Sequence, residues 1–245
     1  TISNLATVYD YKEIITPIFE NTELFKKPLG EHSEVVLKEM YSFKDRNKKS
    51  LTLRPEYTTS MIRALISNNL LDKTPVKLFG YGPMFRRERP QKGRFRQFNQ
   101  INFEILGVHD TFADVEIIIL ANEFLKKIIS RKNIKLFINS LGDKNNIKKY
   151  KNILSNFFEK YKNDLSNESK NKIYSNPLRI LDSKDKLDIN LCKNSPKIED
   201  LYSSSAKHKF DEIQSFLLKS NINFEVDKNL VRGLDYYCHT VFEFK

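Results

Sequence analysis

Residues 84–100, MFRRERPQKGRFRQFNQ, set six Lys or Arg side chains in a loop broken by Pro90 and Gly93. On one side, residues 76–82 (VKLFGYG) are rich in branched and aromatic side chains; on the other, residues 98–106 alternate polar and apolar. Two strand-like runs about a Pro/Gly-broken centre predict the tip of a long antiparallel hairpin, whose rigid arms would hold guanidiniums at both ends of the loop. A run of cations is usually solvated surface. The use of arginine in a chain otherwise built with lysine argues for a site instead, because the planar guanidinium fork matches phosphate and carboxylate groups. Polyanion chemistry is the expectation for this loop.

The remaining pattern gives the hairpin a context. Residues 13–18 are extended in character, 33–40 form a short helix, and 50–53 a strand leading into Arg54-Pro55. From Thr58, read as an N-cap, Met61, Ile62, Leu65 and Ile66 share one helical face until Asn68-Asn69, so Glu56 lies just ahead of a helix N-terminus. A second helix over 114–129 turns Val115, Ile118, Ile119, Phe124, Leu125 and Ile128 inward, and a buried strand follows at 134–138. Strands in sequence with helices outside them, together with the hairpin, predict an α+β domain on a mainly antiparallel sheet flanked by helices. Beyond Gly142 the chain becomes richer in Lys, Asn and Ser, with helical patterns at 147–165 and 210–218; strand-like sequence resumes at 222–226 and 241–244. The expected organisation is a core over 1–143, a helical insertion over 144–220, and the continued core over 221–245.

The 245 residues, 40% hydrophobic, suffice for one core plus such an insertion. Of the net charge of +11, the loop at 86–96 holds six cations against one carboxylate, residues 144–220 hold sixteen against ten, and the remainder is neutral. An excess confined to two places is the footprint of phosphate contact. No apolar stretch approaches the ~18 residues of a membrane span and no cleavable signal pattern opens the chain. The expectation is a soluble, cytoplasmic protein. Cys192 and Cys238 match no metal or redox spacing and read as packing residues.

The string FRRERPQKGRFRQFNQINFEILG at 85–107 resembles motif 2 of the class II aminoacyl-tRNA synthetases, and in detail that of the histidyl-tRNA synthetase family. VRGLDYY at 231–237 is similar to the histidine-specific segment of that family, and LTLRPE at 51–56 resembles a third of its strings. What this implies is activation of histidine by ATP, with Mg²⁺ on the phosphates and no metal site on the protein, then transfer to tRNA(His) by a homodimer. Arg86 would bridge the histidine carboxylate and the α-phosphate, and Arg232 would face it where related enzymes use a metal ion. Both are the expected catalytic residues. Glu104 and Tyr237 would contact the imidazole, with Tyr236 beside them; Glu56, Thr58 and Gln100 would surround the α-amino group. Arg94 and Phe98 would meet ATP, the ring stacking on adenine. Arg89, Gln91 and Lys92 would reach the tRNA acceptor end.

One check is independent of the resemblance: Gln100, Asn102 and Glu104 alternate along one strand and so share a face. The chain departs from the family at Tyr57, where a small residue is usual, and at Asn102-Phe103, which puts the pocket volume in question. Motif 1 appears only as a shortened remnant around Pro17, and the sequence ends at Lys245, before motif 3 and an anticodon-binding domain, which implies a fragment. Two rival readings are a non-catalytic, histidine-sensing regulatory subunit of ATP phosphoribosyltransferase and a general RNA-binding module. The intact arginines favour the synthetase over the first, and the second leaves Glu56, Gln100 and Glu104 without a role.

Overall fold

The computed structural model describes residues 2–31, 33–88, 93–129, 134–234 and 236–245. The chain divides into two compact units: Thr1–Ala113 with Leu234–Tyr236, and Asp114–Gly233 with Tyr237–Lys245.

The first unit opens with α1 (Ile2–Val8), β1 (Lys12–Glu13), β2 (Phe19–Asn21) and α2 (Thr22–Leu29), then a π-helical turn at Val35–Glu39. Next come β3 (Tyr41–Lys44), β4 (Ser50–Leu53), α3 (Thr58–Ser67), β5 (Val76–Phe85) and β6 (Gln97–Leu106). β5 and β6 form the expected hairpin, antiparallel and unbroken from Val76 opposite Leu106 to Phe85 opposite Gln97. β1 joins it in parallel beside β5, and β2, β4 and β3 make a separate antiparallel sheet.

The hairpin has two faces. On one, Phe79 and Phe103 stack at 5.8 Å and Tyr11 meets Phe103 edge-on at 5.0 Å. On the other, Leu78, Gly80, Gly82 and Met84 lie opposite Glu104, Asn102, Gln100 and Phe98, and Tyr57, Met61 and Leu65 pack over Leu78 and Met84. Gly80 has a steric reason to be glycine, since a Cβ there would come within 2.6 Å of the Tyr57 ring and 2.9 Å of the Ile14 carbonyl. Two readings of this unit need correction. Thr58 is the first residue of α3 and not its cap; the capping is done by Glu56, whose carboxylate oxygens accept from the Thr58 and Thr59 amides, both at 2.8 Å. Ile66, placed on the inner face of α3, is 57% exposed, because the core it would join is already filled by Met61 and Leu65. The pairing of this unit is mainly antiparallel, as expected, with the two-residue β1 alone running parallel to its neighbour among the described strands.

The second unit comprises most of α4 (Thr111–Ile128), then β7 (Leu136–Ser140), α5 (Lys144–Lys160), α6 (Asn167–Lys170), α7 (Leu178–Leu181), α8 (Lys186–Cys192), α9 (Ser204–Lys219), β8 (Phe224–Val226) and β9 (Thr240–Phe244). β7 is central, parallel to β8 and antiparallel to β9. The segment 144–220 therefore leaves this sheet after β7 and returns to it at β8. α5 begins three residues before the helical pattern at 147, because Asp143 and Asn146 form a reciprocal capping box. Val115 and Ile118 of α4 pack with Ile138, Ile213 and Leu217, whereas Ile128, predicted inward, is 61% exposed in the last turn, beyond that cluster. A second cluster joins Leu154 and Phe158 of α5 to Ile173, Ile180, Cys192 and Val231. Cys192 is thus a packing residue, and burial pushes its thiol up to about 11.

Asp188 organises the short helices. Its carboxylate accepts from the Ser166 amide (2.9 Å) and from the hydroxyls of Ser166, Ser169 and Ser183 at 2.6–2.7 Å. Desolvation alone would raise its pKa, but the bonds from Ser169, Ser183 and Ser166 outweigh it and hold the carboxyl below its ordinary value.

Candidate active site

In β6, Gln100, Asn102 and Glu104 turn toward the side covered by α3, where a core-facing strand would carry apolar residues; on the opposite face Ile101 is exposed and Phe103 packs on Phe79 and Tyr11. Glu104 accepts a 2.5 Å hydrogen bond from the Thr58 hydroxyl, and the Asn102 amide donates to Thr58 Oγ1 (3.0 Å) and to Glu104 (3.3 Å). Because Glu56 caps α3, the Thr58 side chain is free to reach across to Glu104. Burial raises the pKa of Glu104; the bonds from Thr58 and Asn102 pull the other way, and the nearby Glu56 adds to the rise. Two buried acceptors on the same face, Gln100 Oε1 and Asn102 Oδ1, have no partner among the described residues. A carboxylate with two unsatisfied amide oxygens is complementary to a ligand that presents N–H donors or positive charge.

Where the hairpin arms end, the Arg86 amide donates to the Arg96 carbonyl (2.9 Å) and the Arg87 amide to the Glu39 carbonyl (2.7 Å), anchoring the root of the basic loop. Arg86 Nε donates to the Pro55 carbonyl at 2.9 Å, and its guanidinium lies 5.3 Å from the Phe98 ring centroid. Arg94 pairs with Glu88 at 3.2 Å. Glu39, which sequence reasoning passed over, has its pKa raised by burial and by Glu88, with Arg86 and Arg94 opposing. No local sequence pattern marks it; it is the last residue of the π-helical turn at Val35–Glu39.

The predicted residues thus fall into groups. Glu56, Thr58, Arg86, Arg94, Phe98, Gln100 and Glu104 lie in the first unit, Thr58 with Glu104 and Arg86 with Phe98 in contact. Tyr236 clusters with that unit as well. Arg232 and Tyr237 belong to the second, where the guanidinium stands 5.9 Å from the tyrosine ring centroid. Arg89, Gln91 and Lys92 lie outside the described residues. Tyr57, the departure that put pocket volume in question, is fully buried over Gly80, and its hydroxyl donates to the Ile14 carbonyl at 3.2 Å.

Comparison with solved structures assigns the architecture: an apo histidyl-tRNA synthetase from S. aureus matches with a TM-score of 0.74 and 33% identity over 99% of this chain and 55% of that one. The fold is that of a class II aminoacyl-tRNA synthetase. A Bacillus halodurans protein described as an ATP phosphoribosyltransferase regulatory subunit/histidyl-tRNA synthetase shares the fold at a TM-score of 0.69 and 19% identity. The family model for histidyl-tRNA synthetase matches residues 1–244, and the chain belongs to that family. Histidine–tRNA ligases of Wolbachia pipientis (strain wPip) and Orientia tsutsugamushi (strain Boryong) are 50% and 46% identical to it over 244 and 242 residues, covering 100% and 98% of this chain. The chain spans 60% and 57% of those relatives' lengths.

Proposed function

We propose that this chain is the catalytic part, with its helical insertion over 144–220, of a cytoplasmic enzyme that activates histidine and charges tRNA(His), acting as a homodimer. The observation that carries this reading is the wall of Glu104, Gln100 and Asn102, whose negative charge and unpartnered acceptors suit an imidazole and an α-ammonium group. A pocket that hydrogen-bonds its ligand's polar atoms rejects analogues lacking them, because its own groups are then left unpaired.

In the first step a carboxylate oxygen of histidine attacks the α-phosphorus of ATP, the new P–O bond forms as the bond to the β-phosphate bridging oxygen breaks, and pyrophosphate leaves. Charge repulsion between carboxylate and phosphate dominates the barrier, so fixed cations lower it by positioning and by electrostatic stabilisation. Arg86, held at Nε by Pro55, offers its Nη groups to both oxyanions, and Arg232 is the second cation. Arg94 and Phe98 take the ATP side, where Mg²⁺ enters with the phosphates as part of the substrate. In the second step a terminal ribose hydroxyl of the tRNA attacks the carbonyl carbon and AMP departs, with Arg89, Gln91 and Lys92 meeting the acceptor end.

The deciding experiment is histidine-dependent ATP–pyrophosphate exchange by the complete polypeptide. Exchange is expected with histidine alone among the amino acids, and Arg232→Ala is expected to lower it by about 10²–10³-fold with an unchanged circular dichroism spectrum. Absence of exchange in the unaltered protein, or near-normal exchange in the variant, would overturn the reading or the role respectively.

A further inference from the structure

Arg54 is 3% exposed, and no carboxylate among the described residues pairs with it. Its contacts are instead to backbone and ring: Nε donates to the Pro83 carbonyl (3.0 Å), Nη1 to the Thr16 carbonyl (2.8 Å) and hydroxyl (3.1 Å), and the guanidinium lies 4.5 Å from the Tyr57 ring centroid. Its main chain is tied as well, the amide to the Ile18 carbonyl (2.8 Å) and the carbonyl to the Phe85 amide (3.0 Å). Gly82 leaves the space, since a Cβ there would come within 2.6 Å of Nη2. Burying a cation without a counter-charge costs several kcal/mol before hydrogen bonding offsets it, and an apolar side chain would fill the volume more cheaply. What a guanidinium adds is a rigid plane with donors in divergent directions, which lysine lacks.

Those directions tie together the segments around Arg86. Arg54 links the Thr16 segment to β5 three residues before Arg86, and the next residue, Pro55, supplies the carbonyl that accepts from Arg86 Nε. We propose that Arg54 is a positioning residue for Arg86: it fixes the Pro55 carbonyl and thereby the plane in which the Arg86 guanidinium meets its ligand. This rests on the function proposed above. In this role Arg54 acts on Arg86 through Pro55, with its bonds to Pro83 and Phe85 bracing the same end of β5.

The test is a double-mutant cycle on histidine-dependent pyrophosphate exchange in the complete polypeptide, with rates expressed per folded molecule. Arg54→Lys is expected to lower kcat by about 10–100-fold, the order associated with a misplacement of about 1 Å. In an Arg86→Lys background, which lacks the Nε–H, the same change is expected to cost less than about 3-fold. Additive losses, or an unaltered kcat accompanied only by a lower urea midpoint, would reduce Arg54 to a structural residue and overturn the inference. Should Arg54→Lys fail to fold, Thr16→Val decides: it removes one acceptor of Nη1 and is expected to lower kcat about 3-fold or more in the Arg86 background and not in Arg86→Lys. Equal effects in both backgrounds overturn the inference. Exchange in the parent with no such coupling sinks this proposal alone, whereas no exchange in the parent sinks it together with the function.

Discussion

Glu104 stands under opposed demands. A carboxylate whose pKa is raised in the folded chain carries no penalty below its ordinary value of 4.5, where it is protonated in both folded and unfolded states. As pH rises through the raised folded value, the folded protein must hold a charge that the unfolded chain accommodates more easily, and stability falls. Burial therefore makes the ionised form of Glu104 costly to the ligand-free fold, a cost that a ligand carrying donors offsets. Glu104→Gln is expected to weaken histidine binding by about 10–100-fold, the loss of a hydrogen bond to a charged group, with ATP affinity little changed. The same substitution is expected to raise the melting temperature of the ligand-free protein at pH 7, with the gain shrinking toward pH 4.5. Calorimetry with each ligand and melting curves across that pH range check both halves; equal losses for histidine and ATP would leave Glu104 as a support for its strand.

At the scale of elements, the sequence was most legible where one residue's alternation decided the outcome. The hairpin and the shared face of Gln100, Asn102 and Glu104 follow from a period of two that long-range packing has no means to alter. The start of α3 was misread because Thr58 is a common capping type, while the actual cap comes from a glutamate two residues earlier that satisfies two amides at once. Arg54 was visible in its string but gave no sign of burial, because its acceptors are carbonyls at positions 16 and 83. The Asp188 cluster was illegible for the same reason: its serines are drawn from 166, 169 and 183 with no regular spacing. Asp188→Ala strands three hydroxyls and an amide, and is expected to cost about 3 kcal/mol in urea unfolding, with Asp188→Asn losing less. Since the folded pKa of Asp188 is lowered, its contribution is present above the ordinary value of 3.8 and is lost as pH falls through the folded one. The alanine variant should accordingly show a weaker acid dependence in this range.

For the whole molecule, the lysine-rich segment makes a prediction of its own. Lys148 and Lys149 are exposed on α5 and Lys151 is partly so, and none of the three is among the residues assigned to histidine or ATP. Replacing all three with glutamine is expected to lower tRNA affinity and to reduce the slope of log affinity against log salt by about 2, since fewer counterions are released on binding. Pyrophosphate exchange without tRNA should stay within about 2-fold of the parent. An unchanged salt slope in filter binding would leave α5 as a solvated surface.

The strand order of the second sheet also bears on how the chain is made. Among the described residues β7 pairs with β8 and β9, so Ile138 waits for Val226 on one side and Phe242 on the other. Translation runs from the N-terminus, so β7 leaves the ribosome with both edges bare and stays so while α5 through α9 are synthesised. Unpaired edges and non-local closure are the features that make nascent chains slow to fold and prone to associate. The intervening segment carries an excess of lysine, and charge of that kind favours solution while the strand beside it waits for its partners.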